Sequence, residues 1–283
     1  MPGDGVRGPR PRWGAGATPL LLLLFLSLTA CASRRDDAGA IAAGAGFQRV
    51  AFDAGAFTLI GWQRGAGPIL TAYIEGDGLA WVSRTQVSGD PTPVHPTALR
   101  LAAADPGAAV LYLGRPCQYV QPAEARGCDA RYWSDRRFAP EVVEAVNRAL
   151  DQAKARAGAG RVVLIGYSGG GDVAALAAAR RTDVAAWATV ASPLDHPAWT
   201  RHHGVSPLAG SLDPMDDAAR LATLPQVHFA GAEDDIVPPE IVRGFLAREG
   251  SGQEGRLVVV PEADHGCCWA RRWPELRPLI PQS

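Results

Sequence analysis

The chain has no surplus of positive charge. Its 28 Lys and Arg stand against 29 Asp and Glu, a formal net charge of −1. Binding a phosphate backbone needs a concentrated cationic excess, so the composition argues against a nucleic-acid partner. The sequence also lacks the run of roughly 20 apolar residues that a membrane-spanning helix requires. Its longest such run, at 19–28, contains five consecutive leucines but reaches only about half that length. No internal repeat of solenoid length is visible. The eight tryptophans are scattered, and Trp13 precedes the apolar run, which gives little support to a structural role built on aromatic surfaces. What remains is a chain of 283 residues, enough for one α/β domain with a large buried core.

Arg7, Arg10 and Arg12 precede the apolar run, and Leu28-Thr29-Ala30-Cys31 closes it. A positive segment, a short apolar core and small residues before a cleavage point describe a secretory leader, here 1–30. The closing four residues resemble a bacterial lipobox. That resemblance implies acylation of Cys31 and an envelope lipoprotein held to a membrane by acyl chains, each buried CH₂ adding about 0.8 kcal/mol. The alternative is an ordinary leader in which Cys31 is incidental. Ala32 stands where lipoproteins kept at the inner membrane tend to carry Asp, so the resemblance points to the outer membrane in a cell that has one. Residues 32–46 are mostly Ala, Gly and charge with no aromatic residue, and 31–46 is expected to form a lipid-anchored flexible tether. The folded domain is expected at 47–283.

In an exported chain the remaining cysteines are expected to be oxidised. Cys117 and Cys128 would close a short loop. For the adjacent Cys267 and Cys268 the sequence leaves open a vicinal pair, reduced thiols or bonds elsewhere. A metal site built from these two and His265 is disfavoured, because adjacent ligands fit tetrahedral geometry poorly.

From residue 47 the pattern becomes that of a folded domain. Strands are expected at 47–53 and 57–64, able to pair as an antiparallel hairpin, and at 68–74. Further strands fall at 109–114, 161–167, 184–191, 226–231 and 256–260. Between them lie helices at 140–156, with Val142, Val143, Val146 and Leu150 on one side, at 169–181, and near 239–248. Alternating strands and helices predict an α/β fold, a mostly parallel sheet with helices on both faces. The stretch 192–214 breaks the alternation and is a candidate for a small lid over the carboxyl ends of the strands.

The strongest chemical signal is Gly166-Tyr167-Ser168-Gly169-Gly170, which directly follows Val162-Val163-Leu164-Ile165 and opens a helix. This is the G-x-S-x-G elbow, in which a strained turn exposes a serine and needs nearly side-chain-free residues two before and two after it. No Lys-Ser/Thr follows, so the glycines are not a phosphate loop. With two further motifs the chain resembles the α/β-hydrolases from about residue 47 to its end. Gly231-Ala232-Glu233-Asp234-Asp235-Ile236-Val237-Pro238 is similar to the loop that carries the family's acid, and Pro261-Glu262-Ala263-Asp264-His265-Gly266 to its histidine loop. The order Ser, acid, His matches as well.

That resemblance implies Ser168 as nucleophile, His265 as base and Asp234 as acid, with Asp235 the neighbouring competitor and Glu233 a distant third. His95, His196, His202, His203 and His228 are expected to be surface or core residues. One oxyanion donor would be the N–H of Gly169. The other would be the N–H of Asp77, in Glu75-Gly76-Asp77-Gly78, where the family often has His-Gly. The implied reaction is hydrolysis of an ester, thioester or amide through an acyl-enzyme, with no cofactor or metal. The substrate would be a small-molecule or lipid-like acyl compound. The competing reading is a non-catalytic envelope lipoprotein that uses the same scaffold for binding.

Overall fold

In the computed structural model the described residues are 33–250 and 256–281, together with Gly3. The expected leader and Cys31 lie outside them. Helix α1 (Arg34–Gly44) precedes strands β1 (Gln48–Ala54), β2 (Phe57–Gly65) and β3 (Ile69–Ile74). A short hairpin, β4 (Trp81–Ser83) and β5 (Gln86–Val87), leads to helix α2 (Thr97–Ala104) and strand β6 (Ala109–Leu113). Then follow α3 (Pro140–Ala157), β7 (Arg161–Tyr167), α4 (Gly169–Ala178), β8 (Val184–Val190), α5 (His196–His203) and the single turn α6 (Ala218–Leu221). Strand β9 (Gln226–Gly231), α7 (Pro239–Glu249), β10 (Leu257–Val260) and α8 (Trp269–Leu276) complete the series.

Eight strands form one sheet in the order β1-β2-β6-β3-β7-β8-β9-β10. Strands β1 and β2 make the expected antiparallel hairpin, turned at Gly55 with φ +76°. Strand β2 also pairs antiparallel with β6, and every later pairing is parallel. Because side chains alternate along a strand, β7 sends Val162 and Leu164 into one core and Val163 and Ile165 into the other. Helices α3, α4, α6 and α7 fill the first core, and α1, α2 and α8 the second. Helix α3 buries Val142, Val143, Val146 and Leu150, each worth about 1.5–3 kcal/mol. Pro140 starts it, and Gly158 at φ +65° ends it in the left-handed conformation.

The expected tether is the main correction. From Arg34 onward it is helix α1, which belongs to the same compact unit as the rest. Ala38 and Ala42, one turn apart, are fully buried in the second core. Arg35 donates to the carbonyl of Val120, and Arg34 forms an ion pair of 3.0 Å with Asp90. Small side chains let this helix pack closely with Ile41 as its one large apolar residue, which is why its composition read as a linker. Among the described residues, no helix is long and apolar enough to cross a membrane.

Candidate active site

Strand β7 ends at Tyr167, and Ser168 takes φ +51° before α4 begins. That left-handed backbone is costly for a residue with a Cβ. The surrounding glycines make it possible. A Cβ on Gly166 would come within 2.2 Å of the Gly170 carbonyl oxygen, and one on Gly170 within 2.3 Å of the Ile74 carbonyl oxygen. The N–H of Ser168 donates to Val190 at 2.8 Å, which ties the turn to β8.

His265 lies in the loop after β10, with Nε2 3.0 Å from Ser168 Oγ and Nδ1 3.0 Å from Asp234 Oδ2. Two bonds fix its backbone: Tyr167 Oη donates to the His265 carbonyl at 2.9 Å, and Trp269 Nε1 does so at 3.0 Å. Asp234 sits after β9 and is almost wholly buried. Its second carboxylate oxygen, Oδ1, accepts the N–H groups of Ile236 and Val237 at 2.9 and 2.8 Å. Asp235 and Glu233 are exposed, and it is Asp234 that meets the histidine.

Gly169 is the first residue of α4, so its N–H has no acceptor within the helix. Asp77 lies directly beside it. A Cβ on Gly169 would fall 2.3 Å from Asp77 Oδ1, and one on Gly76 would fall 3.3 Å from Ser168 Cβ. The carboxylate of Asp77 is held by Arg137 at 2.6 Å and Arg115 at 3.3 Å. Burial alone would raise its pKa, but these two guanidinium groups outweigh that and lower it. Arg115 also donates to the Gly169 carbonyl at 3.0 Å. Gln118, fully buried, accepts from the Arg115 N–H at 2.9 Å and donates to the Gly76 carbonyl at 2.9 Å. A trans peptide points its N–H opposite its C=O, so this bond turns the Asp77 N–H away from Gln118. Glu75 accepts from the Gly76 N–H and from Tyr112 Oη, both at 2.9 Å, and burial pushes its pKa up to about 7.

A cavity of about 610 Å³ opens above Ser168 and His265. Its walls include Leu79, Pro93, Val94, His95 and Cys267. The candidate lid does not reach it. Residues 192–214 include α5, which packs against the loop carrying Asp234: Trp199 Nε1 donates to the Ile236 carbonyl at 3.0 Å. His202 and His203 lie on the same loop through the carbonyls of Asp235 and Ile236. His228 is a core residue between Thr189 and Gln226, its pKa pushed by burial down to about 3. His196 is buried against Asp172 at 3.1 Å, while His95 faces the cavity. Cys117 is bonded to Cys128, and Cys267 to Cys268, which removes the last two as thiolate ligands.

Sequence reasoning found Asp77 but missed its partners Arg115, Arg137 and Gln118, and it missed Tyr167 and Trp269 behind His265. Arg115 follows directly on β6, the strand beside β3, and is buried, which its sequence neighbours do not signal.

The sheet order and the serine turn define an α/β-hydrolase fold, and comparison with solved structures agrees. Est1E from Butyrivibrio proteoclasticus superposes with a TM-score of 0.57 at 14% identity, over 82% of this chain and 97% of that one. XC6422 from Xanthomonas campestris, described as an α/β serine hydrolase without a lid, gives 0.54 at 15% identity, over 84% and 96%. The acylaminoacyl peptidase of Pyrococcus horikoshii gives 0.56 at 13% identity, over 82% of this chain and 40% of that chain. No family model and no curated protein matches the sequence.

Proposed function

We propose that the protein is a serine hydrolase that opens a carboxylic ester, or a related acyl bond, through an acyl-enzyme on Ser168. The observation that carries this reading is the unbroken chain Ser168 Oγ, His265 and Asp234, with both links at 3.0 Å, on a strained turn beneath an open cavity. Its completeness favours catalysis over a scaffold kept for binding.

With Nδ1–H donating to Asp234, the Nε2 of His265 is the basic nitrogen and takes the Ser168 proton as Oγ attacks the carbonyl carbon. The tetrahedral oxyanion is received by the N–H groups of Gly169 and Asp77. His265 then gives its proton to the leaving alcohol, and the acyl group stays on Ser168. A water attacks that ester, with His265 again taking and returning the proton, and the acid leaves. Asp234 stabilises the imidazolium in both halves. Est1E has also been solved with ferulic acid bound, and a cavity of about 610 Å³ suits an acyl group of that size. The test is hydrolysis of p-nitrophenyl esters of rising acyl length. Ser168→Ala is expected to lose at least 10³-fold in kcat, and full activity in that variant contradicts the reading.

The anchor belongs to the same proposal. The lipobox-like residues ending at Cys31 support a lipid at that position and a place in the bacterial envelope. Cys31→Ala is expected to release the protein from membranes, with the acyl mass lost from the N-terminal peptide.

A further inference from the structure

The docking of α1 has a consequence for how an anchored enzyme meets its membrane. Arg34 is fixed to the domain, paired with Asp90 at 3.0 Å and donating to the carbonyls of Asp90 and Thr92. Three residue-to-residue steps lead from Cys31 to Arg34, a chain reach of at most about 11 Å. Arg34 thus ties the start of α1 to residues 90–92.

The same short segment runs into the active site. Thr92 is followed by Pro93, Val94 and His95, which line the catalytic cavity. Across from it, the Leu79 N–H donates to the Pro91 carbonyl at 3.2 Å, and Leu79 also lines the cavity. Leu79 leads within two residues to the β4–β5 hairpin. There Trp81 is 43% and Val82 51% exposed, and Val94 is 52% exposed on the cavity rim. These are three of the seven large hydrophobic side chains exposed among the described residues, on two segments joined by the Leu79–Pro91 hydrogen bond. Arg84, at the hairpin turn, is exposed beside them. Tryptophan at the level of the headgroups, apolar side chains below it and a cation for anionic lipids are what a bilayer surface accepts.

Resting on the lipid at Cys31 proposed above, we infer that Trp81, Val82, Arg84 and Val94 lie against the bilayer that holds that lipid. The cavity mouth then opens at the membrane surface, and the enzyme takes acyl compounds that partition into lipid. The acyl chains hold the protein to the membrane, and the hairpin sets which side faces it.

The test uses the full chain, lipidated in the cell and reconstituted into phosphatidylethanolamine–phosphatidylglycerol vesicles with brominated acyl chains. Tryptophan fluorescence is compared between the wild type and Trp81→Phe. Bromine is expected to quench the wild type, and most of that quenching is expected to vanish in the variant. Equal quenching in a chain that is lipidated and sediments with vesicles overturns the orientation and leaves the anchor standing. A wild-type chain without lipid on Cys31 that stays in the supernatant overturns the anchor, and this inference with it.

Discussion

Gln118 Nε2 donates to the carbonyl oxygen of Gly76 at 2.9 Å, and so sets the direction of the Gly76–Asp77 peptide beside the nucleophile. Gln118→Glu keeps the size and the acceptor for the Arg115 N–H but replaces the donor by an oxygen. The Asp77 N–H, the second oxyanion donor in the proposed mechanism, then loses the bond that orients its peptide. Misplaced donors are felt in the transition state more than in substrate binding. Steady-state kinetics with a p-nitrophenyl ester are expected to show kcat lower by about 10- to 100-fold, with KM little changed. A loss confined to KM contradicts this role.

Arg115 shares with Arg137 the compensation of the Asp77 charge. Arg115→Met leaves the Asp77 carboxylate with Arg137 alone and takes a donor from the Gly169 carbonyl. Arg137 stays paired with the carboxylate, so the loss is expected at about 1–3 kcal/mol. For a domain of this size that lowers Tm by roughly 2–12 °C. Adding Asp77→Asn is expected to recover more than half of the loss in a thermal melt. Independent, additive losses contradict the pairing.

Burial places the Glu75 pKa at about 7 in the folded protein, against an ordinary 4.5. Between those values the folded state holds the proton more tightly than the unfolded state, so stability falls as pH rises through the window. The cost is absent below about pH 4.5 and complete above about pH 7, reaching roughly 3 kcal/mol. Glu75→Gln removes the titrating group. Thermal melts at pH 5 and pH 8 are expected to show the variant gaining on the wild type at the higher pH. A constant difference contradicts the burial argument.

Much of the fold was legible because its signals are local. Val162-Val163-Leu164-Ile165 marks a buried strand, and the glycines around Ser168 mark the turn that follows, all within nine residues. The histidine and acid loops each stand directly after a strand, where the chain pattern can find them. Helix α8 escaped because Pro274 lies inside it, although Trp269, Trp273 and Leu276 recur at helical spacing. The partners of Asp77 escaped for a different reason. Arg115 and Arg137 lie 38 and 60 residues away in sequence, and nothing in their own neighbourhoods marks a cation as buried. Helix α1 escaped because alanine and glycine give the same composition to a linker and to a closely packed helix.

The most direct measurement treats the purified protein with a fluorophosphonate and maps the adduct by mass spectrometry. The account predicts one adduct, on Ser168, whose formation is lost in His265→Ala and strongly slowed in Asp234→Asn. A folded protein that takes no label on Ser168, or labels it equally fast without His265, contradicts an activated serine at this site.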